Sequence, residues 1–255
     1  MALAGKDRVI VALDVAAHED ALRLVDALTN VSLFKIGLEL FLKGNLVELL
    51  TRIQERPNHG GGVFIDLKLS GDIGNTVASL IRQCQDLGAK FLTLSETYPF
   101  SATKATIAAA RQARRGADPK LLMVPFLSSL DESDLREAGV DSDLTTHIVA
   151  RGHKMIDAGC DGLIVSGDAI RACRAAFGPD VPLVSPGIRP DWSETNDHKR
   201  HTTPSEAIRL GSDYLVVGRP ITRDASPRDA AQRIIDEIDE ALAETDAQPV
   251  TYRSQ

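Results

Sequence analysis

Aromatic side chains are scarce in this chain, at 4% of 255 residues, with one tryptophan and three tyrosines. A core built from so few rings has to be aliphatic and close-packed from Val, Ile, Leu and Ala. Cysteine is scarcer still, and Cys84, Cys160 and Cys173 are odd in number and stand at no metal-ligand spacing. That excludes a disulfide framework and a thiolate metal site, and reduced thiols in a cytoplasm are the expectation. No run approaches 18 apolar residues and the N-terminus has no apolar signal core, so neither membrane insertion nor export is expected. Positive charge is not in excess: the net charge of −7 argues against general nucleic-acid binding but leaves room for a local basic pocket. A Gly-rich dinucleotide turn is also missing after the first strand, where Asp14-Val15-Ala16-Ala17 stands instead.

What the chain does contain is alternation. Strand-like segments are Arg8–Asp14, Leu33–Gly37, one starting at Val63, Lys90–Leu94, Leu121–Phe126, Gly162–Ser166, Pro182–Ser185 and Tyr214–Val217. Between them lie helical patterns at Glu19–Leu28, about Glu39–Glu55, Ile73–Leu87, Ala102–Arg114, a stretch ending near Ala158, Ala169–Phe177, a short one from Pro204, and Pro227–Ala243. Eight strand–helix units without a linker-like break predict a single-domain α/β fold, a (β/α)₈ TIM barrel over residues 1–245. Residues 246–255 read as a polar tail. A doubly wound open sheet is the alternative, disfavoured by the missing glycine turn.

The most informative stretch is Val63 to Val77. Three charged groups, Asp66, Lys68 and Asp72, follow an apolar strand start, and Leu67 and Leu69 alternate with them. Period-2 alternation puts Asp66 and Lys68 on one face. Opposite charges at the end of a buried strand are costly to desolvate unless they serve each other or a ligand. A barrel carries its chemistry at the C-terminal strand ends. There the chain has Asp14, Lys35, Asp66 with Lys68, Ser95 with Glu96, Ser128 with Ser129, Ser166, Pro186-Gly187 and Gly218-Arg219. Such a ring suits electrostatic work on an anionic substrate. Plainer readings exist: Asp66 and Lys68 as a structural ion pair, Asp72 as an N-cap for the helix at Ile73, Asp14 as a helix-start residue, His198 as a solvated loop residue. Lys35, between Phe34 and Ile36 in an apolar strand, is harder to explain without a purpose.

These residues resemble those of the orotidine 5′-phosphate decarboxylase family. The resemblance is carried by the Ala-Leu-Asp ending at Asp14, Lys35-Ile36-Gly37, Asp66-Leu67-Lys68 and Asn75-Thr76-Val77. Leu127 to Asp131, Pro186-Gly187-Ile188-Arg189-Pro190 and Val217-Gly218-Arg219-Pro220-Ile221 continue it, in order from about Val9 to Glu240. It implies decarboxylation of orotidine monophosphate to uridine monophosphate in pyrimidine biosynthesis, with no cofactor and no metal. It implies that Asp14 holds the ribose hydroxyls, that Lys35 bridges ribose and charged cluster, that Asp66 faces the substrate carboxylate, and that Lys68 stabilises and protonates the carbanion. Asp72 and Thr76 would reach the site of a neighbouring subunit in a homodimer. Ser129 would contact the pyrimidine, and Arg219 with Gly218 and the loop after Pro186 would bind phosphate.

Four positions depart from the family pattern. Three residues, not two, separate Lys68 from Asp72, with Gly71 placed to absorb the extra one as a bulge. Ser95-Glu96 stands where a histidine is usual, Pro125 where a threonine is, and His198 where a loop glutamine spans phosphate and pyrimidine. Two other functions fit the scaffold. A metal-dependent sugar-phosphate or nucleotide lyase would need a carboxylate at strand two, where Lys35 stands; a non-catalytic paralogue would bind a phosphate ligand without turnover.

Overall fold

The structure, a computed structural model, describes residues 3–41, 45–55, 62–71, 73–193 and 201–247. Eight strands form a closed parallel barrel in sequence order: β1 (Val9–Ala12), β2 (Leu33–Gly37), β3 (Val63–Leu69), β4 (Ala89–Leu94), β5 (Lys120–Met123), β6 (Gly162–Ile164), β7 (Leu183–Ser185) and β8 (Tyr214–Val217). β1 pairs with both β2 and β8, which closes the sheet and rules out the open doubly wound alternative.

Both faces of every strand are covered, which is why the strands read as nearly continuous apolar runs. Ile10, Leu33, Phe64, Phe91, Leu122 and Tyr214 point inward and fill the barrel. Their neighbours Val11, Phe34, Ile65, Leu92, Leu121 and Leu215 point outward onto the helices. Three of the aromatics stack inside the barrel, where Phe91 meets Phe64 and Tyr214 edge-on at centroid distances of 5.9 and 5.0 Å. Two residues further along four of the strands, the inward position changes character: Leu33 gives way to Lys35, Phe64 to Asp66, Phe91 to Thr93 and Ile164 to Ser166. An apolar plug thus supports a polar layer at the C-terminal end.

At the opposite end two carboxylates clasp strand starts. Asp161 accepts from the Leu121 N–H at 2.8 Å and pairs with Arg114. Asp213 accepts from the Leu183 N–H at 2.8 Å and pairs with Arg174. Arg8 donates to the Asp213 carbonyl as well, and it closes a four-residue helix, Gly5–Arg8, instead of opening β1 as expected. The expected Glu39–Glu55 helix is two pieces, Leu38–Phe41 and Leu46–Gln54, with Asn45 left-handed at φ 36° where the second begins. The polar connection after β5 holds a short helix, Glu132–Glu137, opened by a capping box between Asp131 and Asp134. The last helix, Pro227–Ala247, runs two residues into the stretch read as tail.

Gly162 opens β6 where β7 comes closest. An added Cβ would lie 2.6 Å from the Pro182 carbonyl oxygen and 2.9 Å from Leu122 Cδ2. Gly162→Ala is therefore expected to cost about 1–3 kcal/mol by overpacking. A urea melt should show a lower midpoint at unchanged slope.

Candidate active site

The polar layer opens into a cavity of about 570 Å³ at the C-terminal strand ends. Its β1–β3 side is a line of alternating charge. Lys35 Nζ donates to Asp14 at 2.9 Å and lies 3.3 Å from Asp66 Oδ2, while Lys68 Nζ donates to Asp66 Oδ1 at 2.9 Å. The two inner groups are buried, Lys35 at 7% and Asp66 at 8% exposure, and the ends of the line, Asp14 and Lys68, open to the cavity. Each buried charge touches two of opposite sign, which is what makes its desolvation bearable. Gly37 must stay bare beside them, since a Cβ there would sit 3.0 Å from Asp14 Oδ1 and 3.3 Å from Lys35 Nζ.

Lys68 is aimed by an irregularity in β3. Ile65 pairs with Leu92 and Leu69 with Leu94, so four steps along β3 face two along β4. Lys68 takes φ 47° within that slip, a conformation a non-glycine residue rarely adopts. This slip, between Ile65 and Leu69, precedes the three residues that separate Lys68 from Asp72, and Asp72 lies outside the described residues. Gly71 donates its N–H to Thr97 Oγ1 at 2.6 Å.

Burial pushes the Asp66 carboxyl upward, but Lys35 and Lys68, with hydrogen bonds from Lys68 and Thr93, outweigh it and hold it below the usual carboxylate range. A folded value below the unfolded one stabilises the fold above about pH 4, the ordinary aspartate value. That contribution drains away as pH falls through the lowered folded value.

The β7–β8 side is cationic, with buried Arg189, half-buried Arg219 and exposed Arg223 beside Pro186, Gly187 and Gly218. Between the two sides, Val124, Phe126, Leu127 and Ile164 form an apolar wall, with Ser128 and Ser166 among them. Among the described residues the lining holds five cationic side chains (Lys35, Lys68, Arg189, Arg219, Arg223) against two carboxylates (Asp14, Asp66). A chain of net charge −7 has thus concentrated positive charge where an anion would enter.

Seven sequence candidates line this one cavity: Asp14, Lys35, Asp66, Lys68, Pro186, Gly218 and Arg219. Ser128 lines it, whereas Ser129 is exposed and outside the lining. Thr76 is exposed on the first turn of the helix Gly74–Asp86, also outside it. Glu96 pairs with Arg151 from the helix Leu144–Asp157 and stands apart from the cavity. Asp72 and His198 lie outside the described residues. Sequence reasoning did not single out Arg189, Arg223, Gly37 or Thr93 as site residues. Arg189 was visible within the Pro-Gly-Ile-Arg-Pro block; Arg223, four residues beyond Arg219, had no signal of its own.

Comparison with known proteins gives a family match over residues 7–234, described as orotidine 5′-phosphate decarboxylase / HUMPS family. A curated relative from Methylobacterium sp. (strain 4-46), named orotidine 5′-phosphate decarboxylase, is 43% identical over 243 residues, 94% of this chain and 98% of the relative. One of the same name from Afipia carboxidovorans is 44% identical over 234 residues, 91% and 95% of the two chains. The crystal structure of orotidine 5′-phosphate decarboxylase from Lactobacillus acidophilus superposes with a TM-score of 0.73 at 29% identity, covering 90% of this chain and 98% of that one.

Proposed function

The chain belongs to the orotidine 5′-phosphate decarboxylase / HUMPS family, and we propose that its cavity decarboxylates orotidine 5′-monophosphate to uridine 5′-monophosphate without metal or organic cofactor. The observation that carries this reading is the Asp14–Lys35–Asp66–Lys68 line, buried at its centre and open to the cavity at its ends, facing a cluster of guanidinium groups across an apolar slot. Guanidinium groups match phosphate geometry, so Arg219 and Arg189 hold the phosphate, with Pro186 and Gly218 beside it. The pyrimidine lies against Phe126 and Ile164, within reach of Ser128 or Ser129. Asp14 and Lys35 hold the ribose hydroxyls. This puts carbon 6 and its carboxylate at Asp66 and Lys68.

When the C6–CO₂ bond breaks, its electron pair stays on carbon 6. With no electron sink in the ring, that carbanion needs positive charge fixed in place beforehand, and the Lys68 ammonium supplies it. Lys68 then gives carbon 6 its proton as CO₂ departs, and its open side chain regains one from solvent. Repulsion between Asp66 and the substrate carboxylate favours the same bond cleavage. Phosphate binding far from carbon 6 supplies the energy that seats the ring.

The reading includes a cytoplasmic homodimer that binds neither nucleic acid nor membrane. Asp72, Thr76 and the loop residue His198 complete the site, the first two reaching a neighbouring subunit. In support, Ile73 and Tyr98 leave large apolar surface on either side of the Gly71–Thr97 contact, at 74% and 96% exposure. No described helix is long and apolar enough to cross a membrane. Against a metal-dependent lyase, Lys35 Nζ sits between Asp14 and Asp66, where its charge would repel a dication.

Ultraviolet absorbance of orotidine 5′-monophosphate, incubated with protein and chelator, tests the reading. Loss of substrate that persists with chelator supports it; a folded protein without turnover contradicts it. Arg219→Ala should lose about 1.5–3 kcal/mol of charge-assisted hydrogen bonding, roughly 10- to 150-fold in kcat/KM. The loss should be far smaller for the nucleoside orotidine, which carries no phosphate.

A further inference from the structure

We propose that Thr93 is a positioning residue for the Asp66–Lys68 pair, its buried hydroxyl fixing at once the carboxylate that holds the ammonium and the backbone that aims it. The inference rests on the decarboxylase reading for its effect on turnover. Thr93 is fully buried on β4, its side chain facing β3. Its Oγ1 donates to Asp66 Oδ1 at 2.8 Å and accepts the Lys68 N–H at 2.9 Å. A hydroxyl is one of the few groups that can do both, since it has one donor and two lone pairs.

Each bond has a separate consequence. Asp66 Oδ1 receives both Thr93 and Lys68 Nζ, while Oδ2 faces Lys35 from β2. Turning the carboxylate about its terminal bond would break all three contacts together, so the Thr93 donor locks an otherwise soft rotation. The second bond catches the backbone inside the register slip, where Lys68 departs from strand geometry and pairs with no β4 carbonyl in the regular ladder. A lysine at positive φ is held only if its surroundings over-determine it, and Thr93 supplies one such restraint from the neighbouring strand. Catalytic groups lose rate steeply when displaced by fractions of an ångström. Thr93 does not itself line the cavity, so its influence on the reacting carbon passes through the lining residues it holds, Asp66 and Lys68.

Two variants separate the hydroxyl from the methyl. Thr93→Val keeps the shape and removes both hydrogen bonds; Thr93→Ser keeps the hydroxyl. Steady-state kinetics on folded protein should show kcat reduced about 10- to 100-fold in Thr93→Val, on the scale of other outer-shell losses, with KM within a few-fold and with Thr93→Ser restoring most of the rate. Carbon-13 NMR of the Asp66 carboxyl gives a readout independent of turnover: it should titrate at higher pH in Thr93→Val than in wild type or Thr93→Ser. Lys35, Lys68 and Thr93 are the groups that face that carboxyl. If valine prevents folding, Thr93→Ala is read in the same two assays. Wild-type kcat and an unmoved Asp66 titration in the hydroxyl-free variant would overturn the inference, as would a serine variant as impaired as valine. A wild-type protein that does not turn over would instead defeat the decarboxylase reading, and the titration would still decide whether the hydroxyl sets the pair.

Discussion

Lys68→Ala is expected to leave a folded barrel with almost no decarboxylase activity. Lys68 is the outer member of the charged line, with its side chain 43% exposed, so its loss should cost little stability. Two catalytic roles are proposed for it. Removing one preorganised electrostatic donor typically costs about 10²–10³ in kcat, and losing a positioned proton donor about 10²–10⁴. One group supplying both should be worth roughly 10⁴ or more. Lys68→Arg should not rescue the rate, because a guanidinium keeps the charge but does not give up a proton in proteins. Single-turnover absorbance beside a thermal melt checks both halves; a substantial residual rate in a folded Lys68→Ala protein would move the proton donor elsewhere.

The second large effect is on the fold. Among the described residues Asp66 is the one carboxylate that touches both lysines, and Asp66→Asn leaves buried Lys35 with Asp14 as its remaining described partner. Breaking a buried pair from one side typically costs about 3–5 kcal/mol, a large part of a domain's total stability. The cost should depend on pH in a defined direction. The folded Asp66 carboxyl is held low, so wild type draws on it fully above about pH 4 and loses it below. Asparagine mimics the protonated acid. The gap between wild type and Asp66→Asn in urea midpoints should therefore be widest near neutrality and close as the solution is acidified. A gap that stays constant into acid would mean that Asp66 contributes through packing instead of charge.

The fold was legible because a parallel barrel leaves a plain trace, eight short aliphatic runs at regular intervals with helical patterns between them. Lys35 stood out for a physical reason too: a charge in an apolar strand must face something, and in a closed barrel it faces the other inward residues. Local deviations were less visible. The helical turn that ends at Arg8 is tied to the barrel floor by its guanidinium on the Ser212 and Asp213 carbonyls, a tertiary contact no local pattern announces. The β3 slip was hidden because left-handed backbone is normally signalled by glycine or asparagine, and here lysine adopts it. Thr93 looked like an ordinary β-branched strand residue, and nothing local told its hydroxyl from a packed methyl. Ser128 and Ser129 lie together in a turn beyond β5, and a run of two like residues does not announce which one the turn aims into the cavity. The individual roles in the chemistry came from the family resemblance, since strand periodicity places charges on a face without saying what they act upon.

The central claim is that Lys68 stabilises a carbanion at carbon 6, and by microscopic reversibility the same site must be able to form that carbanion from the product. Incubating uridine 5′-monophosphate with the protein in D₂O and following the carbon-6 proton by NMR tests this without any loss of CO₂. The account predicts deuterium at carbon 6 above the buffer rate with wild-type protein and none with Lys68→Ala. Exchange at the wild-type rate in Lys68→Ala, or none in a wild-type protein that decarboxylates orotidine 5′-monophosphate, would contradict it.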